Sequence, residues 1–292
     1  MDKQIKIGWI GTGVMGEPMC GHLLAAGFAV AVFSRTRNKA ANLIEKGAFW
    51  CTTPAEVAQN AEVIFTMVGT PGEVREVYLS DQGVLAGVQA GSILVDMSTT
   101  APSLSMELAE RANELGAQAI DAPVSGGDIG AQNATLTIML GGDVQAIEKI
   151  QPLLGCLGET VINMGDAGSG QQAKLCNQLV VANTMIGVCE ALFYAERSGL
   201  DCEKLIAAIR PGAASCWVLD NLAPRMIKGD DAPGFMVEHF IKDLGIAVSE
   251  AEALDLDLPG LKLAHDLYVE TQRLGHGKRG TQSLLHAIRN LS

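Results

Sequence analysis

The chain is poor in positive charge: 21 Lys and Arg stand against 33 Asp and Glu in 292 residues, a formal net charge of −12. Neutralising a phosphate backbone takes clustered cations, so neither nucleic acid nor an acidic membrane surface is expected as a partner. A small anion needs only a local site and stays open. Paired cysteine spacing is also missing. The seven Cys (20, 51, 156, 176, 189, 202 and 216) contain no Cys-x-x-Cys and are odd in number. That pattern points to free thiols in a reducing cytoplasm, with Cys176 read as a packing residue. The opening Met-Asp-Lys-Gln-Ile-Lys-Ile-Gly lacks a signal-peptide pattern. No apolar run is expected to reach the roughly 20 residues of a membrane span. Residues 175–188 come nearest, and Asn177, Gln178 and Asn183 interrupt them. The five His (22, 239, 265, 276 and 286) show no metal spacing, so no metal site is expected.

What is present is ample apolar material, 48% of residues, and 33 glycines that signal tight turns and close backbone approaches. The length suits two domains. Apolar, β-branched runs predict strands over 5–10, 29–34, 62–68, 93–97, 118–121 and 135–140. Helical patterns alternate with them over 15–26, 38–46, 71–78 and 102–115, several closed by a glycine (Gly27, Gly47, Gly116). Strands alternating with helices predict an α/β fold, a Rossmann-type doubly wound parallel sheet. The rhythm changes near Gly165. One long helix is predicted over 170–199, apolar nearly all round and so buried at a domain or subunit contact. Helices follow over 201–209, 216–227, 238–253 and 261–274, with no convincing strand. The expected division is a sheet domain over 1–165 and an all-α domain over 166–292.

Gly11-Thr12-Gly13-Val14-Met15-Gly16 fits Gly-x-Gly-x-x-Gly. It follows a predicted strand and opens a predicted helix, the context a dinucleotide-binding loop requires. Gly11 permits the tight turn, Gly13 lets the backbone approach a pyrophosphate, and Gly16 lets helix and strand pack closely. The free N–H groups of the helix start favour an anion. At the end of the second strand, NAD-binding loops usually place an acid against the ribose 2′-hydroxyl. Here the residues are Ser34-Arg35-Thr36-Arg37. No acid repels a 2′-phosphate and Arg35 can pair with one, which favours NADP over NAD.

Asp121-Ala122-Pro123-Val124-Ser125-Gly126-Gly127 follows another predicted strand. Ser125, Gly126 and Gly127 can aim a hydroxyl and successive N–H groups at one carboxylate. Ser125 lacks a Gly-x-Ser-x-Gly setting and is not read as a hydrolase nucleophile. Lys174 is the candidate acid for reducing a carbonyl. A free lysine, with a pKa near 10.4, is a sluggish donor at neutral pH. Burial among Leu175, Leu179 and Val180 is expected to bring it toward about 7–8. Asn177, three residues on, shares that helix face. Lys242-Asp243, taken alone, reads as ordinary surface charge.

Together these residues resemble the β-hydroxyacid dehydrogenase family over essentially the whole chain. The resemblance rests on residues 10–16, on Asp96-Met97-Ser98-Thr99, on residues 121–127, on residues 165–177 with their Gly-x-x-Gly-x-Gly and Lys-x-x-Asn, and on Ile241-Lys242-Asp243-Leu244. It implies reversible hydride transfer between NADP or NAD and a small hydroxy acid or semialdehyde carboxylate, with Lys174 as general acid and base. It implies that Ser125, Gly126, Gly127 and Asn177 hold the substrate. It implies that Gly11, Thr12, Gly13, Val14, Met15, Gly16, Ser34, Arg35, Thr36, Met67, Val68, Thr99 and Lys242 hold the cofactor. Relatives form homodimers or homotetramers through the helical domain. Related imine reductases usually lack the lysine. 6-Phosphogluconate dehydrogenases are longer and carry a histidine before the asparagine, absent from Lys174-Leu175-Cys176-Asn177. A non-catalytic NADP-binding module is the remaining alternative, and the complete acid-binding turn argues against it. Near Trp217 the sequence departs from the family, leaving the indole as either a limit on substrate size or a core residue.

Overall fold

The structure is a computed structural model that describes residues 5–291. The chain divides into two compact units, one ending at Lys174 and the other beginning at Leu175. The division therefore falls inside the long helix Ser169–Ser198, nine residues beyond the boundary expected at 165.

The first unit is built on six parallel strands: β1 (Lys6–Ile10), β2 (Ala29–Phe33), β3 (Phe49–Trp50), β4 (Val63–Thr66), β5 (Ile93–Asp96) and β6 (Gln118–Asp121), in the order β3-β2-β1-β4-β5-β6. Side chains alternate across a strand, and here both faces are covered. Ile7, Trp9, Val30, Val32, Val63, Phe65 and Val95 share one core with Met19, Cys20 and Leu23 of helix Gly16–Ala25. Ile10, Ala31, Ile64 and Leu94 face the other way, into a core with Val57, Val74, Tyr78, Leu104 and Leu108. Each fully buried large side chain contributes about 1.5–3 kcal/mol. Trp9 stacks on Phe65 with ring centroids 5.6 Å apart and donates its indole N–H to the Gly11 carbonyl at 2.8 Å. One core residue thus anchors the turn that leaves β1.

The strand over 135–140 was expected to extend this sheet, and it does not. It is β8 (Leu136–Leu140) of a separate three-stranded sheet, antiparallel to β7 (Val124–Ser125) and parallel to β9 (Gly158–Asn163). Only Ala122 and Pro123 separate β6 from β7, too few for the crossover that a parallel neighbour needs. Helix Val144–Leu154 joins β8 to β9, with Asp143 capping it by accepting from the Ala146 N–H at 2.8 Å.

The second unit is helical. Its core gathers Ala182, Met185, Cys189 and Leu192 of the long helix with Val237, Phe240 and Leu244 of helix Val237–Ala253 and Leu261, Ala264 and Tyr268 of helix Pro259–Thr271. Phe240 and Tyr268 meet edge to face at 4.8 Å, and the Tyr268 hydroxyl donates to the Thr281 carbonyl at 3.1 Å. The helix expected over 216–227 is two short helices, Trp217–Asn221 and Ala223–Ile227. Pro224 has no N–H to continue the first. Contrary to the sequence expectation, the helix Ser169–Ser198 is long and apolar enough to cross a membrane by length and composition. Its buried stripe lies in the core just described. Its open side leaves Val180 65% exposed, so Val180 does not help to bury Lys174 as expected. Cys176 and Trp217 are likewise exposed within their unit rather than packed in its core.

Candidate active site

In a parallel sheet the loops after the strands emerge at one edge. The registers pair Ile10 with Phe33 and Thr66, Thr66 with Asp96, and Asp96 with Asp121. The loops beginning at Gly11, Ser34, Met67, Met97 and Ala122 therefore open side by side. Strand order reverses between β1 and β4, the switch point where ligands bind in such sheets.

At that point Gly11 has φ +95, a conformation that favours glycine, and a Cβ there would fall on the Met67 carbonyl oxygen. A Cβ on Gly16 would fall on the Gly11 carbonyl oxygen, so helix and loop pack with nothing between them. Gly13 faces open space. Helix Gly16–Ala25 has no side-chain cap; its Glu17 N–H donates to the Gly13 carbonyl at 3.0 Å and Pro18 carries none, so an anion here is left the backbone of the loop itself. Thr12 Oγ1 is buried without a hydrogen-bond partner. A loop with open backbone and an unmatched hydroxyl fits the phosphates of a dinucleotide.

Ser34 is buried, while Arg35 and Thr36 are exposed. Arg35 donates to Glu73 Oε1 at 2.9 Å, and Glu73 Oε2 accepts from the Gly69 N–H at 2.9 Å. Arg37 lies over the Trp50 ring, 5.7 Å from its centre. The Val68 N–H donates to Ser98 Oγ at 3.0 Å, and the Ser98 N–H donates to Asp96 Oδ1 at 3.0 Å. Thr99, next in sequence, is half-buried.

Ser125, at the end of β7, is half-exposed, and Gly126 and Gly127 after it both take positive φ, +130 and +63. A Cβ on Gly127 would meet nothing, so its backbone is open to an incoming group. Asp121, which opens the same motif, turns the other way. Its carboxylate accepts from the Gly168 N–H at 2.7 Å and the Gln171 N–H at 2.8 Å, closing the start of the long helix. Gly141 and Gly170 have no side chain where this carboxylate lies; a Cβ on either would come within 2.8 Å of its oxygens. Burial pushes the Asp121 carboxyl up to about 6, against the opposing pull of the N–H groups it accepts from. Lys174 lies on this helix, one turn after Gln171, and is 7% exposed.

In the second unit Asn177 Nδ2 donates to Gln178 Oε1 at 2.9 Å, and Gln178 Nε2 donates to Asp243 Oδ2 at 2.6 Å. Asp243 Oδ1 pairs with Lys242 Nζ at 2.8 Å. Asp243 is buried and Lys242 half-buried, so the pair is not ordinary surface charge. The sequence reading missed Gln171, Gln178 and the roles of Asp121 and Asp243. A polar residue inside an apolar helix was the available signal.

Asp231, His276 and His286, which sequence spacing does not connect, bring possible ligand atoms within 4.8 Å of one another. His286 Nε2 already pairs with Asp231 Oδ2 at 2.9 Å. The two imidazoles stack at 4.4 Å and 7°, so their in-plane lone pairs run in parallel planes instead of converging on one ion. Burial and the neighbouring His286 lower the His276 pKa.

Sheet order, glycine loop and helical second unit define a nicotinamide-dependent oxidoreductase. Two family models match the chain. The NAD binding domain of 6-phosphogluconate dehydrogenase matches residues 6–165, and the NAD-binding domain of NADP-dependent 3-hydroxyisobutyrate dehydrogenase matches residues 168–288. A 3-hydroxyisobutyrate dehydrogenase-like protein of Arabidopsis thaliana is 48% identical over 98% of this chain and 86% of its own. The 3-hydroxyisobutyrate dehydrogenase of Mycobacterium tuberculosis, solved with L-serine, is 31% identical with a TM-score of 0.90, covering 98% of this chain and 99% of that one. Psf3, solved with NADP+ and 2-OPP, is 28% identical with a TM-score of 0.89, covering 97% and 99%. The chain belongs to the β-hydroxyacid dehydrogenase family and is an NAD(P)-dependent enzyme.

Proposed function

We propose that the enzyme interconverts a small hydroxy acid and its semialdehyde or oxo acid, with Lys174 as general acid and base and NADP as the preferred cofactor. The observation that carries this reading is a buried lysine one helical turn beyond the residue that grips the loop carrying Thr99. The nicotinamide, when bound, gives or accepts the hydride. The backbone of residues 11–16 holds the pyrophosphate. Ser34, Arg35 and Thr36 hold the adenosine ribose, and Met67, Val68, Thr99 and Lys242 the nicotinamide side. Ser125, Gly126 and Gly127 bind the substrate carboxylate and Asn177 its hydroxyl. In reduction Lys174 Nζ delivers a proton to the carbonyl oxygen as the carbon is reduced; in oxidation it takes that proton back. A positioned acid of this kind contributes about 10²–10⁴-fold.

Similarity to an enzyme solved with L-serine, itself a 3-hydroxy acid, supports the substrate class. The lack of an acid at Ser34-Arg35-Thr36 and a relative solved with NADP+ support the cofactor preference. Exposed Val180 and Tyr194, two heptads apart on the long helix, support a homodimer or homotetramer. Free thiols at all seven cysteines support a cytoplasmic setting. The test is NADPH and NADH oxidation against glyoxylate, succinic semialdehyde, tartronate semialdehyde and methylmalonate semialdehyde. Turnover on one of these supports the reading. Turnover on a cyclic imine alone would replace it.

A further inference from the structure

Gln171 is fully buried, and each polar atom of its side chain has a fixed task. Its Oε1 accepts from the Thr100 N–H at 3.0 Å, and its Nε2 donates to the Ser98 carbonyl at 2.9 Å. The two bonds fall on either side of Thr99. A flipped amide would set donor against donor and acceptor against acceptor, so only one orientation serves. The same residue's backbone N–H is held by Asp121 Oδ2. Ser98, in turn, accepts the Val68 N–H through its hydroxyl. Val68, Ser98, Gln171 and Asp121 thus form one chain of hydrogen bonds, from the loop after β4 through the loop after β5 to the motif after β6.

Residues three apart on a helix share a face, so Gln171 and Lys174 lie on one side of Ser169–Ser198. We propose that Gln171 is a positioning residue: it fixes the height of Thr99 and its loop relative to Lys174, and so the reach of the lysine to the reacting oxygen. The proposal rests on the hydride-transfer reading above. An ordinary core amide would need only some partner for each of its atoms. Gln171 takes both partners from the two peptide groups that flank a single proposed cofactor-contacting residue, and it does so from the helix that carries the proposed acid. Misplacement by about 1 Å can cost a reaction up to 10²-fold.

Two variants test this. Gln171→Met keeps the shape and removes both hydrogen bonds. Gln171→Glu keeps an acceptor for Thr100 and, only when protonated, a donor for Ser98. Steady-state kinetics from pH 5.5 to 9 and the fluorescence of bound NADPH are measured beside the wild type. Gln171→Met is expected to lower kcat about 10- to 100-fold while KM for both substrates moves less than about threefold. The kcat of Gln171→Glu, relative to wild type at each pH, is expected to climb toward one as the pH falls. A purely structural role would lower thermal stability without that pH-dependent rescue. Wild-type kcat in Gln171→Met, or a flat pH ratio for Gln171→Glu, overturns the proposal. If the wild type turns over none of the acids tried, the hydride-transfer reading fails by itself. NADPH fluorescence then decides the positioning role. A changed emission maximum of the bound form in Gln171→Met, at nearly unchanged affinity, supports it, and an unchanged maximum overturns it.

Discussion

Gln178 and Asp243 are joined by a 2.6 Å hydrogen bond inside the core of the second unit, and the other carboxylate oxygen is held by Lys242. Both residues are buried, so neither can exchange its partner for water. A buried acceptor left without its donor costs about 1–3 kcal/mol. Gln178→Met is therefore expected to destabilise the protein by that amount in urea denaturation. Because Gln178 also takes the amide of Asn177, KM for the acid substrate should rise as well. Unchanged stability would mean that Asp243 finds another donor.

Lys174→Ala is expected to cut turnover about 10²–10⁴-fold and to leave cofactor affinity nearly intact. Stopped-flow hydride transfer and NADPH titration separate the two effects. Undiminished turnover would remove the lysine from the chemistry.

Arg35 and Glu73 form a reciprocal pair for the cofactor question. Arg35 is 79% exposed and meets Glu73 at 2.9 Å, so a 2′-phosphate has to compete with that carboxylate. Arg35→Ala should weaken NADPH by about tenfold, the value of a modest charge-assisted bond, and barely change NADH. Glu73→Gln keeps an oxygen for the Gly69 N–H and releases the guanidinium, so it should tighten NADPH selectively. Equal effects on both cofactors would show that Arg35 does not read the 2′-phosphate.

Asp121 sets a pH dependence. Its carboxyl is raised by burial from an ordinary value of 3.8 to about 6, so the folded protein binds a proton more tightly there than the unfolded chain. Its contribution to stability is fully present below about pH 4 and is lost as the pH rises through about 6. The difference is on the order of 3 kcal/mol. Asp121→Asn should remove that slope from denaturation midpoints compared at pH 4.5 and 6.5. The same slope in both proteins would place its origin elsewhere.

Much of the first unit was legible in the sequence because parallel strands buried on both faces read as short apolar runs, with helical patterns closed by glycine between them. Helix 102–115 and helix 71–78 lie within a residue of Pro102–Glu114 and Pro71–Leu79. β3 and β7 were not legible: each has two residues, too few to carry a period. Helix Val144–Leu154 carries its own signal in the Asp143 cap and the spacing of Ile147, Ile150 and Leu154, although it was not among the helices expected. The residues proposed to touch ligands stand in motifs that the sequence displays. Gln171, Gln178 and Asp243 stand out in no such motif, because they take their meaning from partners 65 or more residues away.

Lys174 and Leu175, where the two units part, are consecutive residues of one helix, Ser169–Ser198. Each residue added to an α-helix turns the downstream chain by about 100° and lifts it by about 1.5 Å. A single insertion between Lys174 and Asn177 would send the proposed base and the proposed hydroxyl ligand to different sides of the rod. Spare length, which loops elsewhere absorb, is forbidden here. Any exchange of sequence between relatives inside this helix must keep the count from Lys174 to Asn177, or the two proposed groups leave their shared face.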